Sequence, residues 1–370
     1  MSPIAPASRA RARARARTIA GLPDAIDAVA GVTVDTHRFL RRQWFAAALN
    51  GDGGTARTVL VERGAAATIA LPLVGLGPAV LGLGQVPGCY WPFRSAPVAD
   101  GADRDDFAAL LAGAGRAVRG FRLGPVYDDD PLLAGLLAAV QSAGWRALPR
   151  FIADSYLLDM AALRAEGDWP RNSTLRKNRF NEKHLAAQGV PEWSFVQGGG
   201  WTDTVFDELA AIEAASWIGQ RTDGRDAKFT DAGHGRFWRG AARDPVLAGM
   251  MSAALLRMDG APAAFSFDLN AGTLKYAIAN SFDARFARHS PGRLLYYRNL
   301  VRSIDDGIDR VDWGAGDSGY KRVIGATPGP AIRDWLFLRP GLPALAGRLL
   351  AGRWAGSGQR PAGKAEAPAE

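Results

Sequence analysis

The chain has 370 residues, 48% of them hydrophobic and 22% charged, with a formal net charge of +8. Five of those charges are Arg9, Arg11, Arg13, Arg15 and Arg17, so the remainder carries only +3, which argues against general nucleic-acid binding by the body of the protein. The single cysteine, Cys89, excludes an intramolecular disulfide and suits a reducing, cytoplasmic compartment, and the four histidines (His37, His184, His234, His289) form no zinc-type helical pair, so no metal is expected.

Residues 1–28 read as a solvated, disordered Arg/Ala arm, unlike a secretory leader because no apolar block follows the arginines. A short strand is expected over 31–36, a helix over 37–49, and strands over 58–62 and 67–74 joined at Arg63-Gly64. A further strand is possible over 78–84. The apolar run from Ala65 to Val86 is broken by Pro72, Gly75, Gly77, Pro78, Gly82 and Gly84, so no transmembrane segment is expected. Asp103 opens a helix with Phe107, Leu110, Leu111 and Val118 at helical spacing, 121–124 is strand-like, and Pro131 begins a helix behind three aspartates. A strand over 151–158 completes a mixed first half. The basic helix after it takes Ser173 as N-cap and Gly189 as its end. Arg176, Arg179 and Lys183 share one of its faces, either simply solvated or turned to an anion.

The second half reads β-α-α-β-β-β-α-β-α-β. A strand over 193–196 precedes helices over 202–217 and 229–242. Strands over 248–258, 263–269 and 273–280 turn at Asp259-Gly260 and Asn270-Ala271-Gly272. A helix over 291–306, a strand over 310–313, a helical turn over 318–324 and a strand over 331–338 follow. The expected domains are a lobe over 29–189, a lobe over 190–342 and a C-terminal tail over 343–370, disordered after Arg353.

The best-marked segment runs from Asn280 to Gly307. Ser290 can cap its helix, Pro291 suits the first helical position, and Leu294, Tyr297, Val301, Ile304 and Ile308 form an apolar stripe. The first turn offers unpaired N–H groups, Gly292 lets an anion approach the backbone, and Arg288 and Arg293 flank it. Next comes Asp312-Trp313-Gly314-Ala315-Gly316, then Tyr320-Lys321. The Tyr320 phenol can give a proton to a leaving thiolate, and the Lys321 ammonium can meet a phosphate or an oxyanion. Glu213 lies in the apolar face of its helix and is either paired or a base raised by desolvation. With Asp312 it supplies the candidate carboxylates; Asp268 and Asp283 rank below them.

Together these motifs resemble the CelD-type branch of the GNAT acetyltransferases, found in bacterial polysaccharide loci and related to the Fem aminoacyltransferases. The resemblance rests on Phe282 through Ala287, Ser290-Pro291-Gly292, Leu294-Leu295, Gly307, Asp312, Gly314 and Tyr320-Lys321, with the 173–189 helix and Ser216-Trp217 in support. It implies an α/β (α+β) fold of two tandem GNAT-like lobes, each a mixed, mostly antiparallel sheet flanked by helices. It implies acetyl-CoA bound by Arg288, Ser290, Gly292, Arg293 and Leu294. A small-molecule or sugar amine would lie in the cleft between lobes, with Arg176, Arg179 and Trp217 as acceptor contacts. The family carries a basic residue after the tryptophan, where this chain has Ile218. Two alternatives stay open: transfer from aminoacyl-tRNA, as in the Fem relatives, and a non-catalytic regulatory protein. No stable nucleic-acid partner is expected, and the oligomeric state is open.

Overall fold

The structure is a computed structural model that describes residues 12–52, 55–88, 93–167, 169–217, 219, 227–231, 233–316 and 319–358. Its strands are β1 (Ala14–Ala20), β2 (Arg57–Arg63), β3 (Ala66–Gly75), β4 (Leu83–Gln85), β5 (Gly120–Tyr127), β6 (Arg146–Asp159), β7 (Pro191–Gln197), β8 (Met251–Met258), β9 (Ala261–Ala271), β10 (Leu274–Phe282), β11 (Arg310–Ala315) and β12 (Thr327–Leu338). The first half carries helices α1 (Ala25–Ala30), α2 (Arg42–Asp52), α3 (Arg104–Ala117), α4 (Pro131–Val140), α5 (Met160–Glu166) and α6 (Asn172–Ala186). The second carries α7 (Asp203–Ala215), α8 (Gly235–Ala241), α9 (Pro245–Met250), α10 (Pro291–Asp305), α11 (Tyr320–Val323) and α12 (Leu342–Gly356).

All twelve strands form one sheet, ordered β1-β2-β3-β4-β5-β12-β6-β11-β10-β9-β8-β7. From either end, a three-strand meander leads to a parallel pair, β4 with β5 and β10 with β11. The middle is shared. β12, from the end of the chain, lies between β5 and β6, while β6, from the first half, pairs with β11. The expected mixed, mostly antiparallel sheet flanked by helices is therefore present, but a cut at residue 189 does not separate two closed sheets. An aromatic cluster joins the halves on one face: Trp44 meets Phe237 at 4.6 Å and Phe93 meets Tyr276 at 4.9 Å.

Local chemistry accounts for the elements that were legible. Asp103 accepts from the N–H groups of Asp105 and Asp106, and the Asp106 carboxylate accepts from the Asp103 N–H at 2.9 Å, a reciprocal cap at the start of α3. Asp130 caps Leu133 at 3.0 Å, with Pro131 first in α4.

Other expectations need correction. The arginine arm is not wholly disordered, since residues 14–20 form edge strand β1 on β2. Its period of two turns the alanines toward α3 and the arginines outward, and Arg17 makes a bidentate pair with Glu62 at 2.9 Å. The strand expected over 31–36 is absent among the described residues, where Asp35–His37 makes a single 3-10 turn, and α2 begins only at Arg42. Disorder is expected after Arg353, but the helix runs on to Gly356, because Trp354 Nε1 donates to the Leu148 carbonyl at 3.0 Å and the Arg150 guanidinium covers the indole.

The shared middle strand is pinned by charge. Asp334 of β12 is fully buried and accepts from Arg122 of β5 at 2.8 Å and from Arg150 of β6. Removing the carboxylate leaves two largely buried guanidiniums facing each other. Asp334→Ala is expected to cost about 3–5 kcal/mol of unfolding free energy in urea titration. A loss below about 1 kcal/mol would contradict this role.

Candidate functional site

β10 and β11 pair in parallel for only three residues: Leu274 with Arg310, Lys275 with Val311 and Tyr276 with Asp312. Beyond Tyr276, β10 bulges between Ala277 and Ala279 but stays bonded to β9 as far as Phe282. β11 shifts register between Asp312 and Ala315 and stays on β6. Each strand is held on its far side while the two facing edges part. Parallel strands open toward their carboxyl ends, the usual ligand-binding edge of such sheets.

α10 begins at that edge, after a 3-10 turn over Ala284–His289. Pro291 takes the first position as expected. Ser290 does not cap with its side chain; it adopts a left-handed conformation with φ 52°, and its carbonyl accepts from the Leu294 N–H at 3.1 Å. Gly292 serves packing. A Cβ there would stand 2.7 Å from Asn280 Oδ1 and 2.9 Å from the Phe282 ring, and the Asn280 amide donates to the Gly292 carbonyl at 3.2 Å. Its hydrogen thus faces β10 rather than an anion, and Leu294 is core. Among the described residues no backbone acceptor meets the N–H of Gly292 or Arg293. Arg288 is exposed. Arg293 lies half-buried over the Tyr297 ring, and its Nε has no hydrogen-bond partner among the described residues. α6 packs on the 3-10 turn and on α10, tied by Arg298 to Glu182 at 2.8 Å. It buries Asn178, Asn181 and Leu185 and leaves Arg176 and Arg179 exposed.

The other face of the parted strands belongs to Asp312. This carboxylate is 4% exposed and accepts from the Gly314 N–H at 2.7 Å. Burial pushes it up to about 6, against the lowering effect of the Tyr127 hydroxyl, the Gly314 N–H and the Lys321 ammonium; Asp129 adds a smaller push upward. Its neighbour Tyr276 donates to the Thr36 carbonyl at 3.3 Å, and burial drives that phenol well above its ordinary range. His37 Nε2 lies 3.1 Å from Asp130. The 35–37 turn and the 127–130 loop of the first half thus meet the second half at Asp312. In the sequence nothing marks Tyr276 or Tyr127, and His37 stands out only as one of four scattered histidines. In the sequence the aspartates before Pro131 signal only helix-terminal charge.

Lys321 is buried and donates to the carbonyls of Gly314, Ala315 and Gly316 at 3.2, 2.9 and 2.7 Å, so it closes the exit of β11. Tyr320 is 39% exposed and meets Trp313 and Tyr296, on the α10 side of the sheet. Glu213 is not part of this cluster. Its two oxygens accept from the N–H groups of Lys228 at 2.8 Å and Phe229 at 2.7 Å, seating Phe229 against Phe265 and Phe267. Burial raises this carboxyl, and those N–H groups oppose the rise. Asp268 is paired with Lys275 at 3.1 Å and Asp283 with Arg285 at 2.7 Å. Trp217 is exposed, and Ile218 lies outside the described residues. No metal-type cluster of His, Cys, Asp and Glu occurs among the described residues.

Residues 172–322, from α6 to α11, match the acetyltransferase (GNAT) domain family. No curated protein matches the chain in sequence. Among solved structures, FemX superposes with a TM-score of 0.58 at 12% identity, over 90% of this chain and all of that one (100%). A conserved protein of unknown function from Bacteroides thetaiotaomicron superposes with a TM-score of 0.56 at 12% identity, over 87% of this chain and 100% of that one. At such identities the likeness to these structures is one of fold, and the acetyltransferase (GNAT) match is confined to residues 172–322.

Two variants test the roles assigned to these residues. Gly292→Val is expected to lower stability by about 1–3 kcal/mol through the clash with Asn280 and Phe282, measured by urea unfolding; unchanged stability would place the glycine elsewhere. The folded chain holds the Asp312 proton above the ordinary carboxyl value of 3.8. Its carboxyl therefore costs nothing below that value and destabilises the fold as pH rises toward 6, by on the order of 3 kcal/mol. Asp312→Asn is expected to stabilise the protein at neutral pH by on the order of 1–3 kcal/mol and to change little near pH 4. A neutral-pH loss would contradict the desolvation account.

Proposed function

We propose that the protein is an N-acyltransferase that moves the acyl group of acetyl-CoA to an amine, with the thioester held where β10 and β11 part. The carrying observation is that parting. It separates the two strands, and the pantetheine arm of CoA is an extended chain with two amides that can lie between them. The N–H groups opening α10, with Arg288 and Arg293, are the groups that would receive its diphosphate. Arg176 and Arg179 on the neighbouring α6 extend the cationic rim. The resemblance of the 282–321 motif to the CelD-type branch favours amino sugars among the acceptors.

Asp312 supplies the base. It lies on the face turned to the first half, ionises near neutrality, and is stripped of water. The amine nitrogen forms a bond to the acyl carbon as the carbon–sulfur bond breaks. Asp312 takes the proton that the nitrogen sheds. Tyr320, on the α10 side, gives a proton to the departing sulfur, and solvent returns both residues to their starting forms. Lys321 acts at one remove: it holds the Gly314–Gly316 loop and keeps Asp312 from rising further.

The test is a thioester-cleavage assay with acetyl-CoA over a panel of amines, amino sugars included. The wild type is expected to gain activity as pH rises through about 6, and Asp312→Asn to lose about 10²–10⁴-fold in kcat together with that pH limb. Tyr320→Phe is expected to lose less. The outward cations of α6 favour one second reading, transfer from aminoacyl-tRNA. Turnover with that donor and none with acetyl-CoA would overturn the first reading.

A further inference from the structure

α12 is built the wrong way round for a surface helix. A helix on a protein normally turns its apolar stripe to the core. Here the packed side carries Gly347, seated on Leu338, Arg146 and Leu148 with no room for a side chain, and Trp354, bonded to the Leu148 carbonyl. At about 100° per residue, Leu342, Leu345 and Leu349 fall within about 60° of one another and opposite that side. Leu342 is 83%, Leu345 53% and Leu349 86% exposed. Ala346, Gly352, Gly356 and Arg353 share the outward face with the leucines.

Charge says what such a face fits. Arg348 and Arg353 flank the stripe and are exposed, and residues 342–358 contain no aspartate or glutamate. A second exposed apolar pair, Val80 and Leu81, is tied to the same region. The Arg119 guanidinium donates to the Val80 carbonyl at 3.1 Å, and the Arg119 carbonyl accepts from the N–H of Arg339, three residues before Leu342. Apolar side chains bordered by guanidiniums and free of acids match an anionic bilayer, whose acyl boundary takes the leucines and whose headgroups take the arginines. A second copy fits less well, because pairing α12 with itself sets arginine beside arginine with no carboxylate between them. The helix is too short to cross a membrane, and no described helix is long and apolar enough to do so.

We propose that the outward face of α12 docks on the surface of anionic lipid bilayers, with the helix lying in the plane of the headgroups. This surface is separate from the parted strands, so it stands or falls independently of the acyl-transfer reading.

The test is flotation of the full chain with vesicles of phosphatidylcholine alone and of phosphatidylcholine with one quarter phosphatidylglycerol. Two double variants, Leu345→Asp with Leu349→Asp and Arg348→Glu with Arg353→Glu, alter only exposed side chains, and circular dichroism checks their folding. The wild type is expected to float with the phosphatidylglycerol vesicles and not with phosphatidylcholine alone. Each double variant is expected to lose at least about tenfold in partitioning, and high salt to weaken the wild type. Three results would overturn the proposal. One is a wild type that does not float. Another is a leucine double variant that floats as well as the wild type, which would assign binding to the N-terminal arginines both proteins keep. The last is a wild-type dimer, by light scattering, that the leucine variant converts to a monomer without any vesicle binding in either.

Discussion

β10 and β11 cease to pair after Tyr276 and Asp312 although neither strand ends there. That state is possible only because each keeps a partner on its far side, β9 for β10 and β6 for β11. Backbone N–H and C=O groups must be satisfied somewhere, and past the last paired residues Lys321 takes up the carbonyls of Gly314, Ala315 and Gly316. The exchange of strands between the halves follows from the same need. β6 braces β11 from outside the second half, β12 locks β6 to β5, and the buried Asp334 with its two arginines holds that lock.

Around the seam, residues that look alike in chemistry do different work. Lys321 and Asp312 are both buried and both charged, yet the ammonium is satisfied by three carbonyls while the carboxylate is held short of full compensation and rises to about 6. Glu213 is raised too, but both its oxygens bind backbone N–H groups of one loop. A carboxylate committed to the backbone supports a fold; one left partly uncompensated at a seam is available for proton transfer. That incomplete compensation carries a stability cost.

The sequence made local structure legible where a single segment decides it. Asp103 and Pro131 announced their helices, the Asp259-Gly260 turn announced a hairpin, and Asp312 and Tyr320 stood out beside their glycines. What it hid depends on distant partners. The alternating arginines became a strand because β2 offered an open edge and Glu62 a carboxylate. Gly292 read as room for an anion, whereas Asn280 and Phe282, ten or more positions earlier in the chain, already fill that space. The meeting of Tyr127, Thr36 and His37 with Tyr276 and Asp312 spans more than a hundred residues, and no spacing rule reports it. Glu213 could be recognised as buried from its helical face, but the N–H groups that bind it lie in a following loop with no regular pattern.

Hydrogen exchange at the seam addresses the central claim most directly. Backbone amides over residues 277–282 and 313–316 are compared with and without acetyl-CoA. The account predicts slowed exchange in both segments together, with a matching effect over residues 292–294 at the start of α10. Exchange unchanged in these segments at saturating acetyl-CoA, or slowed only elsewhere in the sheet, would contradict it.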